Sequence, residues 1–218
     1  MKSDKFFVLS LLFILLTPIL AHAGITSDVR TVTFDKGKEI ENYRKHFSDG
    51  KNIRYEEEVK SEGRIIEIFN YDTKKKYTVM DALKMYIVQD MPKEDGSTSI
   101  NDIIEGKDKD EIKPDKDGKK PKDKDKKPKP RTVEKKLLRD EVYEGYSCAV
   151  YDIKVIIIGR VNQSTVWAAK ELDNFIAKSE NVSYTGVKTL IEHKNIKKVD
   201  IQPSLFLPPK DYKPMSPF

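Results

Sequence analysis

Cysteine is almost missing from this sequence: Cys148 is the only one in 218 residues. A small exported domain stapled by disulfides carries an even set, so this fold has to rest on a hydrophobic core. Cys148 sits in the apolar stretch Tyr146–Tyr151 and reads as a small buried side chain. A reactive or intermolecularly paired thiol is the alternative. Histidine is nearly as scarce, with only His46 and His193 beyond residue 23. There is no H-E-x-x-H and no pair at ligand spacing, and one Cys with two scattered His does not supply the four ligands of a structural zinc site. No G-x-S-x-G elbow, P-loop or G-x-G-x-x-G occurs either. Ser48-Asp49-Gly50-Lys51 matches S-x-x-K in letters, but that motif works from a helix start, and here it spans a predicted hairpin turn. Glu56, Glu57 and Glu58 read as a solvated strand rather than an acid/base pair. The sequence therefore predicts no enzyme, no cofactor and no metal.

Long apolar runs are absent except at the start. Lys2 and Lys5 precede a run of 15 residues, Phe6 to Leu20, which ends in the small-x-small triplet Ala21-His22-Ala23. Spanning a bilayer takes about 20 residues, so the expectation is a cleavable signal peptide over 1–23, cut between Ala23 and Gly24. An uncleaved anchor is the alternative. No Cys follows the cut for lipid attachment, and no transmembrane span is expected in the mature chain, which should be periplasmic or secreted.

Net positive charge is also missing from the part that folds. The formal charge is +5, of which the leader carries +1 and residues 105–132 carry +4, leaving the remainder neutral. Nucleic-acid binding requires clustered basic side chains on folded surface, so no nucleic-acid partner is expected. Residues 105–132 hold 12 basic and 8 acidic side chains, four prolines and one apolar residue, Ile112. Such a segment buries too little to offset its ordering entropy and is expected to be a disordered, solvated insert. Its Asp115-Lys116-Asp117-Gly118 lacks the earlier acidic residue and the terminal Glu of a calcium loop. The predicted organisation is a leader, one β-domain in two parts (24–104 and 133–218), and the insert between them.

What remains is strand-like. Ile53, Tyr55 and Val59 alternate with Asn52, Arg54, Glu56, Glu58 and Lys60, the period of a strand with one wet face. Asp49-Gly50 is a hairpin signal ahead of it; Ile40, Tyr43 and Phe47 fit a helical stripe at i, i+3, i+7 equally well, but the turn needs a partner on its other side, so that segment is read as a strand. Arg64–Tyr71, Lys76–Met80 and Lys84–Gln89 continue a meander. After the insert, Thr132–Glu144, Tyr146–Ile158, Val161–Ala169 and Val187–Ile196 read as strands. Ser97–Ile104 and Glu171–Lys178 are the candidate helices, the latter from Leu172, Phe175 and Ile176. The fold class is mainly β, a single curved antiparallel sheet or half-barrel with one or two short helices.

Four segments, in order, resemble the LolA/LolB-like superfamily of periplasmic lipoprotein and lipid carriers, and within it the poorly characterised domains of unknown function. They are Asp49–Glu56 (DGKNIRYE), Ile66–Tyr86, Glu144–Tyr151 (EGYSCAVY) with Thr165–Ala169 (TVWAA), and Val199–Tyr212 (VDIQPSLFLPPKDY). The resemblance implies a strongly curved sheet whose concave apolar face, partly covered by helices, holds acyl chains. The insert and the shortage of helical lid segments depart from that pattern. The implied function is a non-enzymatic binder or carrier of a lipid or other hydrophobic small molecule in the cell envelope. Phe69, Tyr77, Tyr86 and Trp167, large side chains on predicted strands, are the candidate ligand-binding residues, and filling the core is the equal alternative for each. An envelope structural or interaction protein, contacting a protein partner through the sheet surface and the charged insert, is the competing reading.

Overall fold

The computed structural model describes residues 22–91, 100–106 and 131–215. Twelve strands form one sheet: β1 (His22–Asp35), β2 (Lys38–Ser48), β3 (Ile53–Val59), β4 (Gly63–Asn70), β5 (Lys75–Met80), β6 (Met85–Asp90), β7 (Arg131–Tyr143), β8 (Tyr146–Ile157), β9 (Arg160–Ala169), β10 (Phe175–Val182), β11 (Lys188–Ile201) and β12 (Lys213–Pro214). Their order is β12-β6-β5-β4-β3-β2-β1-β11-β10-β9-β8-β7. Every pairing is antiparallel except β12 on β6. The two halves of the chain join where β1 pairs with β11, so one open, curved sheet runs through both. One helix, α1 (Ile100–Ile104), is present among the described residues.

Local chemistry sets the turns. Asp49 accepts the backbone N–H groups of Lys51 and Asn52, closing the β2–β3 hairpin where Asp49-Gly50 predicted it. Buried Asn52 then donates to Asp72 and accepts from the Tyr71 N–H, tying that turn to the β4–β5 turn. Glu144 and Gly145, both at positive φ, make the two-residue β7–β8 hairpin.

Three expectations need correction. Glu171–Lys178 is not a helix: a 3-10 turn, Lys170–Leu172, stops at Asp173 and Asn174, both left-handed, and β10 begins at Phe175 opposite Ala169. Side chains spaced for one helical turn are here a turn followed by a strand, whose successive residues face opposite ways. Strands β1, β10 and β12 were not among the strands expected, because these segments carry no sharp sequence signature. On β3 the side read as wet is covered at its start, where Arg54 is 7% exposed, and wet only toward Glu58, while Ile53 and Tyr55 on the other side are half-buried. Ser97–Ile104 is helical from Ile100, with residues 97–99 outside the described residues, as are residues 1–21, 107–130 and the calcium-like loop.

The sheet is covered on opposite faces at its two ends. On the face carrying His46 and His193, Ile103 and Ile104 of α1 pack on Ile153, Val166 and Ala168, and Lys135 Nζ caps both of their carbonyls at 3.0 Å. On the other face, at β3–β6, the chain after β11 packs Phe206 onto Ile66, Ile68, Val79 and Ile201. A third cluster holds Cys148, Val150, Trp167, Leu172 and Ile196. The thiol of Cys148 is fully buried and its pKa is raised by desolvation, as expected of an apolar filler.

Candidate ligand-binding site

The C-terminal segment works as a strap. After Ile201, a 3-10 turn over Pro203–Phe206, with Pro at its start, swings the chain back across β3 and β4, and β12 then pairs with β6. Phe206, 1% exposed, is its apolar anchor. Two polar side chains of the sheet hold its backbone: Arg54 Nη1 donates to the Leu205 carbonyl at 3.0 Å and Asn70 Nδ2 to the Phe206 carbonyl at 3.1 Å. Further along, the Tyr212 hydroxyl donates to Asp81, whose pKa is lowered by that bond and by Arg64. The strap therefore depends on polar groups buried in the sheet, each satisfied.

Between strap and sheet lies a cleft of about 590 Å³. Phe47, Val199 and Ile201 form its apolar floor, and Leu205, Leu207 and Pro209 its strap side; Thr26, Gln202 and Ser204 supply hydroxyl and amide groups. This volume and this mixture fall within the roughly 300–1,000 Å³ of small-molecule sites. Beside it is a second cleft of about 660 Å³, lined by charge: Asp28, Lys45 and Glu56, then Glu58 and Arg64. It exists because β2 and β3 part company. They pair only from Ser48–Ile53 to Lys45–Glu56, whereas β2 runs back to Lys38 and β3 on to Val59. Arg54 lines the first cleft and Glu56 the second, and their side chains meet at 2.7 Å.

Tyr77 and Tyr86 come together, ring centroids 6.1 Å apart, in the cluster that the strap covers. Phe69 does not join them. It follows Ile68, the partner of Tyr77, and so points to the opposite face, beside Tyr55 at 6.4 Å and under the Lys76 ammonium at 5.0 Å. Trp167, 4% exposed, belongs to the third cluster with Lys178 over its ring at 4.5 Å. None of the four lines either cleft. Sequence reasoning did not single out Phe47 or Arg54 as site residues; Arg54 was visible as the one basic residue between the apolar Ile53 and Tyr55 of β3.

The other polar cluster lies across β2, β1 and β11. Ser27 Oγ contacts His46 Nδ1 at 3.3 Å and His193 Nδ1 at 2.8 Å, with all three residues buried. One hydroxyl hydrogen cannot serve both rings, so at least one Nδ1 carries a proton. Phe175 of β10 closes on both rings, its centroid 5.6 Å from His46 and 4.8 Å from His193. Strands β2 and β10 are three spacings apart, about 14 Å in a flat sheet, so the sheet bends toward this face. Desolvation lowers the pKa of His46 to about 4 and of His193 to about 3, holding both neutral. Among the described residues no three His, Cys, Asp or Glu are placed to hold a metal ion. Ser48 Oγ accepts from Gly50 N–H while Lys51 pairs with Asp72, so the S-x-x-K letters make a turn.

Fold and site define a curved antiparallel β-sheet protein with an amphipathic cleft under its own C-terminus. Solved structures similar to it include a LolA superfamily protein from Nitrosomonas europaea (11% identity, 86% of this chain and 91% of that one, TM-score 0.42). Another is the Mycobacterium tuberculosis lipoprotein LppX (8% identity, 92% and 100%, TM-score 0.42). A third is an outer membrane lipoprotein-sorting protein domain from Vibrio parahaemolyticus (10% identity, 86% and 90%, TM-score 0.32). No family model and no curated protein matches the sequence. Among the described residues no helix is long and apolar enough to cross a membrane.

Proposed function

We propose that this protein is a non-enzymatic binder or carrier of a lipid or other hydrophobic small molecule, working in the cell envelope after removal of residues 1–23. The observation that carries the reading is the cleft between Phe47, Val199 and Ile201 on the sheet and Leu205, Leu207 and Pro209 on the strap. An apolar chain entering it gains roughly 25 cal/mol for each Å² of apolar surface removed from water. The resemblance of the sequence to lipid carriers points the same way. The ligand contacts are assigned to these residues in place of Phe69, Tyr77, Tyr86 and Trp167.

The test is the native mass of protein purified without detergent from full-length expression. Extra mass that disappears on organic extraction, with lipid in the extract, supports the carrier. A bare mass, with no uptake of added fatty acid or phospholipid, removes it and leaves a role in envelope contacts.

A further inference from the structure

Three hairpins of the sheet turn through two residues at positive φ: Lys36-Gly37 between β1 and β2, Glu144-Gly145 between β7 and β8, and Ile158-Gly159 between β8 and β9. The left-handed first position suits Asn or Asp and disfavours β-branched residues, whose side chains crowd the backbone there. Ile158 holds it at φ 52° with 59% of its surface exposed. An apolar residue at this place strains the turn, and the isolated chain gains little burial in return.

Ile158 belongs to a group. Tyr184, in the neighbouring β10–β11 turn, carries the Arg160 guanidinium over its ring at 4.8 Å, and its backbone N–H donates to Asn162 Oδ1 at 3.1 Å. Phe34, Lys188 and Val182 are aligned across β1, β11 and β10. Val161 lies two residues from Gln163, the β9 partner of Val182, and so on the same face. Phe34, Ile158, Val161, Val182 and Tyr184 are between 40% and 59% exposed. From β1 to β8 is four strand spacings, about 19 Å along the sheet, so these side chains make an apolar rim at one end of it.

Charge divides the two ends. Residues 34–40, 157–161 and 182–188 hold Lys36, Lys38, Arg160 and Lys188 against Asp35 and Glu39, a net of +2. The turns at the other end, 49–51, 71–74, 144–145 and 170–174, hold three basic and five acidic side chains, a net of −2. The chain enters β7 at Arg131, opposite Ile157, and residues 119–131 contain eight basic and two acidic side chains. The apolar rim is therefore also the basic end of the sheet.

We propose that this rim is a docking surface for an anionic lipid bilayer. Ile158 and Tyr184 enter the boundary between headgroups and acyl chains, while Arg160 and Lys188 face the headgroup phosphates. A bilayer takes up separate protruding side chains without the matching pockets that a protein partner would have to supply. Insertion gives Ile158 the apolar contact that its turn lacks in water. Charge sets the orientation, drawing the basic end to the surface and turning the acidic end away.

The experiment is flotation with vesicles of phosphatidylcholine alone or mixed equally with phosphatidylglycerol. It uses protein from full-length expression whose intact mass shows residues 1–23 to be gone. Binding to the mixed vesicles should be several-fold tighter than to the neutral ones and should weaken with salt. Ile158→Asn puts into the turn a residue suited to left-handed φ, so the urea midpoint should hold or rise while vesicle affinity falls about ten-fold. Lys188→Glu should lower affinity about five-fold or more. Lys74→Glu, the same charge change at the opposite end, should leave it unchanged. Absence of binding to the mixed vesicles overturns the proposal. So does binding that Ile158→Asn leaves intact, or that Lys74→Glu weakens as much as Lys188→Glu does. The strap cleft takes no part in this test, so the carrier reading stands or falls separately.

Discussion

Arg54 and Leu205 are joined by a hydrogen bond from Nη1 to the backbone carbonyl, 3.0 Å long, across 151 residues of chain. The same guanidinium meets Glu56 through Nε at 2.7 Å, so one buried cation holds both the strap and the border between the clefts. Arg54→Met keeps volume but strands a carbonyl and leaves Glu56 with only the more distant Arg64. A loss of about 2–3 kcal/mol in urea unfolding is expected. Faster proteolysis between Leu207 and Tyr212 should accompany it, and unchanged cleavage would show that the strap is held without Arg54.

Phe206 tests the apolar half of the same attachment. Its ring is 1% exposed among Ile66, Ile68, Val79 and Ile201. Phe206→Ala should cost about 3–5 kcal/mol, read as a lower urea midpoint at unchanged slope. A reduced slope would mean that the strap already unfolds in the native state.

Trp167 separates core from site. It is packed with Cys148, Val150 and Leu172, away from both clefts. Trp167→Ala should destabilise by about 3–5 kcal/mol, while the fraction that remains folded binds fatty acid with unaltered Kd. A weakened Kd in fully folded protein would return Trp167 to the binding site. The matching change at the cleft, Phe47→Ala, should weaken binding.

Acid should weaken the fold through His46 and His193. Their pKa values fall from 6.5 to about 4 and about 3 on folding, because burial disfavours the charged rings. Between those values and 6.5 the unfolded chain binds more protons, so stability rises with pH and is lost as pH drops from about 7 toward 4. At pH 5 the loss is on the order of 2 kcal/mol per ring. Urea midpoints at pH 7.5 and pH 5 measure it, and His193→Asn should flatten the dependence relative to its own pH 7.5 value. A His193→Asn profile as steep as the parent's would assign the acid sensitivity elsewhere.

The candidate site was only partly legible in the sequence. Val199–Tyr212 was one of the four segments that carried the resemblance, and it contains the strap. Tyr77 and Tyr86 stood out as large residues on strands, and the strap does cover them. Phe69 looked equivalent, but one residue of parity puts it on the other face. Phe47 and Val199 were not distinguishable from any other apolar strand residue until the strap lay over them.

The sequence by itself determined the class of the fold and the places where the chain turns. Alternation marked β3 and the strand segments after the insert, and Asp49-Gly50 fixed a hairpin, because these are local properties of a few consecutive residues. Only the tertiary structure decided which side of each strand is dry. A period of two sorts side chains to two faces but carries no information about what covers either one. On β3 the cover comes from Leu205 and Phe206, and it buries the side bearing Arg54. The same limit applies to β10, where pairing with Ala169 overrides the helical spacing of Leu172, Phe175 and Ile176. It applies also to His46 and His193, 147 residues apart in sequence, which meet because β1 lies between β2 and β11.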